Sequence, residues 1–226
     1  MRLEERRFRA AASAGDVTAL LLRPPRATAL YVFGHGAGAP MRHAFMEAAA
    51  RGLAERGVAT LRYQFPYTEA GRKAPDPAPV LQETVRSAVA EAARVAGGLP
   101  LLAGGKSMGG RMTSLAASEE PLPGVRGLAF FGFPLHAAGS PSAGRGEHLA
   151  HVGLPMLFLQ GTRDSLADLS LLRPLLAKVK PPPTLHTVES ADHGFRVLKR
   201  SGRTDGEVLE ELCDRFAAWA REVADA

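Results

Sequence analysis

At 226 residues the chain is long enough to bury the core of one α/β domain, and 46% hydrophobic with 23% charged residues is a globular balance. No apolar run is long enough to cross a bilayer, and the start Met1-Arg2-Leu3-Glu4-Glu5-Arg6-Arg7-Phe8-Arg9 mixes charges without the apolar segment of a secretory signal, so a soluble, cytoplasmic protein with no membrane partner is expected. The formal charge of +5 invites an anionic partner, but the arginines are scattered among acids without an aromatic-interleaved basic stripe, which argues against nucleic acid.

The lone cysteine, Cys213, can form no internal disulfide, in keeping with a reducing compartment. It falls between Leu212 and Phe216 in an amphipathic pattern, where a small apolar core residue is expected and not a reactive thiol.

In chain order, Phe8 to Ser13 and Val17 to Leu22 read as two strands about the turn Ala14-Gly15-Asp16, an antiparallel hairpin at a sheet edge. Ala29 to Phe33 is a short apolar strand that empties into Gly34-His35-Gly36-Ala37-Gly38-Ala39-Pro40. Such a loop leaves backbone N–H groups free and lets a ligand come close. Phe45, Ala49 and Leu53 mark a helix ending at Gly57, and Val58 to Tyr63 a buried strand. A proline-rich loop from Gln64 to Pro79 follows; then Leu81, Val85, Val89 and Ala92 repeat at helical spacing until Gly97-Gly98.

Leu101-Leu102-Ala103 ends a further strand, and Gly105-Lys106-Ser107-Met108-Gly109 spells G-x-S-x-G ahead of a helix carrying Met112, Leu115 and Ala116 up to Pro121. Arg126 to Phe133 is the next strand, Pro134 to Gly153 a loop of about 20 residues, and Pro155 to Gln160 another apolar strand ending in Gly161-Thr162-Arg163-Asp164. Leu169, Leu172 and Leu176 suggest a helix, kinked at Pro174. The strand Thr184 to Glu189 empties into Ser190-Ala191-Asp192-His193-Gly194-Phe195, and Thr204 with Glu207 makes a capping box for a final helix with core face Val208, Leu212, Phe216, Trp219 and Val223.

Strands alternating with helices imply a single domain over 1–226, with a mostly parallel central sheet covered on both faces and an antiparallel hairpin at its N-terminal edge. In such sheets ligands bind beyond the carboxyl ends of the strands, where His35, Ser107, Asp164 and His193 all fall. Strand, glycine turn, serine and helix make a nucleophile elbow, which needs small residues two positions to either side because strand and helix close on each other.

A serine hydroxyl is a poor nucleophile near neutrality and needs a base in reach, itself oriented by a carboxylate. The order Ser107, Asp164, His193 is the order this type of fold uses. Asp168 is the fallback acid; Asp192, next to the histidine, is expected to bond its own loop, and His186 lies inside a strand. Oxyanion donors are expected from the amides of Met108 and Ala37, with His35 bracing the glycine loop. Phe65, Tyr67, Met108 and Phe195 are candidates for an acyl-binding wall, although ordinary packing is the better explanation of each. Lys106 and Arg111 flank the turn, where ordinary ion pairs are expected. His148 and His151 have H-x-x-H spacing, with His136 nearby, but no carboxylate pattern accompanies them, so no metal is expected.

Gly34-His35-Gly36-Ala37-Gly38, Gly105-Lys106-Ser107-Met108-Gly109-Gly110-Arg111, Gly132-Phe133-Pro134-Leu135-His136, Gly161-Thr162-Arg163-Asp164 and Asp192-His193-Gly194-Phe195 resemble the small α/β-hydrolases of bacteria. More narrowly they are similar to the group that shares a domain with a subunit of the animal NSL acetyltransferase complex. The resemblance runs from about Tyr31 to the C-terminus and implies the same triad of Ser107, Asp164 and His193. Serine at the elbow differs from the aspartate of epoxide hydrolases and haloalkane dehalogenases and from the cysteine of dienelactone hydrolases.

The expectation is therefore a serine hydrolase without a cap domain or cofactor, monomeric or homodimeric, acting on a small-molecule ester, thioester or similarly activated acyl group through an acyl-enzyme. The alternative is a non-catalytic binding or scaffold protein of the same fold, suggested by the resemblance to a chromatin-complex subunit; a complete triad in the chain argues against it.

Overall fold

The computed structural model describes residues 1–225. Its elements run β1 (Arg2–Arg9), β2 (Asp16–Arg23), β3 (Ala29–Gly34), α1 (Ala44–Glu55), β4 (Val58–Tyr63), α2 (Pro66–Glu69), α3 (Ala78–Ala96), β5 (Leu101–Lys106) and α4 (Met108–Glu119). They continue as β6 (Val125–Phe131), β7 (Met156–Gly161), α5 (Leu169–Leu176), β8 (Thr184–Val188) and α6 (Asp205–Asp225). The strands form one sheet in the order β1-β2-β4-β3-β5-β6-β7-β8. The β1–β2 and β2–β4 pairs are antiparallel and all the others parallel.

Residues along each central strand alternate between two cores, as the period of two of an extended chain requires. Leu30, Val32, Leu128 and Phe130 point to the face covered by α3, α4 and α5, where they meet Val85, Met112 and Leu172. Tyr31, Phe33, Ala129 and Phe131 point to the other face, where α1 and α6 bring Met46, Leu53, Leu212 and Phe216. Phe131 and Phe216 stack there, ring centroids 5.9 Å apart. Burying one such side chain contributes on the order of 1.5–3 kcal/mol.

Helix ends follow the local chemistry. Helix α3 stops at Gly97, whose φ of 62° is the left-handed turn that glycine adopts without steric cost. Thr204 and Glu207 form the expected reciprocal cap of α6: Glu207 N donates to Thr204 Oγ1 at 3.2 Å and Thr204 N to Glu207 Oε2 at 2.7 Å. Cys213 is buried between α6 and α1.

Several boundaries differ from the sequence reading. Strand β1 starts at Arg2, pairing with Arg23, and not at Phe8. Its charged residues disguise it, yet an edge strand tolerates them on both faces and they discourage further pairing; Arg6 reaches the buried Glu91 on α3 at 2.6 Å. The segment read as a loop from Gln64 contains α2, opened by Pro66 at its first position. The loop after β6 carries a 3-10 turn over Gly144–His151. Strand β5 does not end at Ala103 but runs through Gly104 and Gly105 to Lys106.

After β3 the chain adds β4 on one side through α1, then returns by α3 to add β5 on the other. The carboxyl ends of β3 and β5 thus flank the switch point of the sheet, the crevice where open α/β sheets bind ligands.

Candidate active site

Ser107 follows β5 directly and starts α4, at φ 51° and ψ −117°. An L-residue holds that conformation only if its surroundings enforce it, at a cost of order 1–3 kcal/mol. Two hydrogen bonds do so: Ser107 N donates to Phe131 O at 3.1 Å, and Arg111 N closes the first turn of α4 on Ser107 O at 3.1 Å. The glycines make room for the turn. A Cβ on Gly105 or Gly109 would lie inside the backbone of Gly34, so β3, β5 and α4 meet there with no space for a methyl group.

Asp164 follows β7 in a turn anchored to the neighbouring loop by Arg163 N to Ala191 O at 2.9 Å. Its carboxylate is fully buried. Oδ1 accepts Leu166 N at 2.8 Å, while Oδ2 accepts Gln160 Nε2 at 2.5 Å and faces His193 Nδ1 at 2.7 Å. A carboxylate only accepts, so Nδ1 carries the hydrogen and Nε2 is left as an acceptor. That nitrogen lies 2.8 Å from Ser107 Oγ. The loop bearing His193 is shaped by Asp192, whose Oδ1 accepts Gly194 N at 2.8 Å and Arg196 N at 2.9 Å, the loop-bonding role expected of it.

The competing residues have other occupations. Asp168 caps α5, accepting Ser170 N at 2.8 Å, and its own amide donates to His136 Nε2. His186 pairs with Glu211 at 2.6 Å. His148 contacts Ser114 Oγ at 2.7 Å, and burial together with the charge of Arg111 pushes its pKa down to about 4. Among the described residues no group of three His, Cys, Asp or Glu side chains is placed to hold a metal.

The loop after β3 is braced from beneath. His35 is 0% exposed; its Nδ1 donates to Gly36 O at 2.8 Å and its Nε2 accepts Phe65 N at 3.1 Å. Burial lowers its pKa to about 4, so it is neutral at ordinary pH. Tyr67 Oη donates to Ala37 O at 2.7 Å, which fixes the peptide carrying the Gly38 amide, while the His35 bond to Gly36 O fixes the one carrying the Ala37 amide. Neither the Ala37 nor the Met108 amide has a hydrogen-bond acceptor among the described residues.

Two of the expected acyl-wall residues are corrected. Phe65 and Tyr67 are both 0% exposed: Phe65 packs edge-on to Tyr63 and His35, and Tyr67 spends its hydroxyl on the loop. They are supports for Gly36–Ala39 and have no face free for a ligand. Met108 packs, partly buried, against the core. Phe195 does line a cavity, of about 540 Å³, together with Phe45, Met46, Ala39 and Lys106. The ion pairs expected for Lys106 and Arg111 are absent among the described residues. Lys106 turns instead to the backbone of His193.

Gln160 escaped the sequence reading except as the end of a strand. It is fully buried, its Oε1 accepts Phe133 N at 2.9 Å and its Nε2 holds Asp164. A lone amide closing the apolar run Met156-Leu157-Phe158-Leu159 was the available signal, since buried polar side chains are kept for the bonds they make.

Sheet topology, strained serine turn and the Ser107–His193–Asp164 chain together define an α/β hydrolase. Residues 27–221 match the family model of the alpha/beta hydrolase domain, and the chain belongs to that family. Its fold is similar to an esterase domain from Rhodothermus marinus, at 17% identity over 98% of this chain and 99% of that one, with a TM-score of 0.74. It is similar also to XC6422 from Xanthomonas campestris, described as an α/β serine hydrolase without a lid, at 19% identity over 96% and 95% of the two chains and a TM-score of 0.71. TT1662 from Thermus thermophilus aligns over 100% of both chains at 24% identity, with a TM-score of 0.70. No helix among the described residues is long and apolar enough to cross a membrane.

Proposed function

We propose that the chain is a serine hydrolase that cleaves an ester, thioester or similarly activated acyl group through an acyl-enzyme. The observation that carries this is the unbroken chain from Ser107 Oγ to His193 Nε2 at 2.8 Å and from His193 Nδ1 to Asp164 Oδ2 at 2.7 Å, at the end of a strained elbow.

In the first half-reaction Ser107 Oγ adds to the acyl carbonyl carbon while His193 Nε2 takes the hydroxyl proton. Asp164, held by Gln160 and Leu166, keeps the imidazole in the required tautomer and favours the imidazolium that forms. The carbonyl oxygen becomes an oxyanion, received by the amides of Met108 and Ala37, the former aided by the positive end of α4. The tetrahedral centre then collapses, the bond to the leaving alcohol or thiol breaks, and His193 returns the proton to it. Water repeats the sequence on the acyl-serine and releases the acid. The protein's own groups supply every step. His193 remains 24% exposed, which admits both substrate and the second-step water. The single, buried Cys213 fits a reducing compartment such as the cytoplasm.

The test is labelling of the purified protein with a fluorophosphonate probe beside Ser107→Ala and His193→Ala, with the modified peptide located by mass spectrometry. Modification of Ser107 that disappears in both variants supports the reading. No modification of folded wild-type protein overturns it in favour of a binding role.

A further inference from the structure

We propose that Lys106 is a positioning residue of this site: its buried ammonium holds the backbone carbonyl of His193 and so sets the base over Ser107. The inference rests on the reading of Ser107 and His193 as nucleophile and base.

Lys106 is the last residue of β5 and the one before Ser107. Its side chain does not follow the serine towards solvent but crosses to the loop after β8, where Nζ donates to His193 O at 2.5 Å. The residue is only 8% exposed. The rings of Phe45 and Phe195 lie 5.8 and 5.3 Å from the ammonium, and those two rings stack on each other at 5.8 Å. Gly132 opens the space for this arrangement: a Cβ there would stand 2.9 Å from Lys106 Nζ and 3.4 Å from the His193 ring, so lysine and imidazole share one small volume.

Burial of an ammonium is costly, and here it depresses the lysine pKa to about 8 even though the charges of Asp164 and Asp192 act to raise it. A lysine without a task in such a place would be expected to snorkel to water or be replaced by an apolar residue. The bond it makes falls on the residue whose side chain must stay 2.8 Å from Ser107 Oγ. The His193 loop needs such an anchor, because it reverses sharply through Phe195 at φ 63° and stands partly open to solvent. Lys106 and Ser107 are bonded neighbours, so movement of the elbow and of the base are tied through one side chain. The charged groups around the ammonium are Asp164 after β7, Asp192, His193 and Arg196 on the loop after β8, with His43 before α1 and Asp205 at the start of α6 lining the same cavity. Arg196 shares the sign of Lys106, whereas Asp164 and Asp192 favour the protonated lysine.

The experiment follows the His193 Nδ1 proton bonded to Asp164 by NMR in the full chain, with the signal assigned by His193→Gln, in wild type, Lys106→Met, Lys106→Gln and Lys106→Arg. Rates of fluorophosphonate labelling are measured on the same samples, and thermal melting shows which variants are folded. Losing the bond to His193 O should displace that proton signal or lose it to exchange in whichever neutral variant folds, and Lys106→Arg should restore it towards wild type. Labelling at pH 7 should fall on the order of 10- to 100-fold in the neutral variants, the scale expected when a reacting group is misplaced by about an ångström. An unmoved Nδ1 proton signal in a folded neutral variant overturns the proposal whatever the labelling shows. Absence of labelling in the wild type would overturn the acyl-enzyme reading, but the Nδ1 proton signal would still decide the place of Lys106.

Discussion

Gln160 donates from Nε2 to Asp164 Oδ2 across 2.5 Å, to the same oxygen that faces His193 Nδ1. The carboxylate facing His193 is thus held from behind by an amide whose other end accepts Phe133 N at 2.9 Å. Gln160→Leu keeps the volume but removes both bonds. It leaves the buried Phe133 amide unpaired, which costs about 1–3 kcal/mol of stability. Asp164 then loses one of its two orienting donors besides the histidine, and kcat on a short acyl ester should fall on the order of tenfold with KM little changed. Urea unfolding and steady-state kinetics read the two effects separately, and wild-type values in both would remove Gln160 from the site.

The assignment of the acid is separable from that of its neighbour four residues on. On the proposed mechanism, in which the three groups act as a unit and asparagine fixes the wrong tautomer, Ser107→Ala should lower kcat on the order of a millionfold and Asp164→Asn about 10⁴-fold. Asp168→Asn should leave turnover near wild type, since its carboxylate caps α5 and asparagine caps a helix about as well. Hydrolysis of a chromogenic acetate ester measures all three. A larger loss in Asp168→Asn than in Asp164→Asn would mean that the wrong carboxylate has been placed behind His193.

Close approach at the elbow gives a third expectation. Gly109→Ala would drive a methyl group into the backbone of Gly34 and His35, atoms that cannot swing aside as a side chain would. The cost should exceed the roughly 1–3 kcal/mol typical of overpacking, and the glycine-rich loop after β3 should shift with it. Gly15→Ala in the β1–β2 turn is the control, because nothing lies within 4 Å of a Cβ there. Thermal melting of the pair should show a large loss for the first and almost none for the second.

Much of this was legible in the residue order. Alternation of strands and helices, the G-x-S-x-G turn and the positions of Asp164 and His193 after strands pointed to the sheet and to the three side chains it gathers. Local patterning carries that information, since each of those residues sits at a strand end marked by a break in hydrophobicity. What the pattern could not carry is the direction of a side chain across the fold. Phe65 and Tyr67 read in the sequence as aromatic residues of a loop near the site, and only packing against His35 and Ala37 shows that they face inwards. Lys106 reads as half of an ordinary ion pair until its partner, the backbone of His193, is seen 87 residues further along the chain. Strand β1 was shortened for a related reason: its arginines and glutamates satisfy an edge, which has no hydrophobic signature.

His35 should make stability depend on pH in a definite direction. Its imidazole is held neutral in the fold, with Nδ1–H donating to Gly36 O and Nε2 accepting Phe65 N, and its pKa is lowered to about 4 from an unfolded value of about 6.5. As pH falls below 6.5 the unfolded chain takes up the proton first, so the native state loses ground; the loss accumulates between about pH 6.5 and 4 and levels off below that. The full effect is on the order of 3 kcal/mol. His148, also lowered to about 4, adds a loss of the same sign, so the contribution of His35 is read by difference. His35→Gln retains an acceptor for Phe65 N but cannot titrate. It should be less stable than wild type at pH 7.5, and its urea midpoint should fall less on going to pH 4.5. Equal falls in the two proteins would show that His35 takes up its proton without leaving the fold, and the neutral brace beneath Ala37 would have to be abandoned.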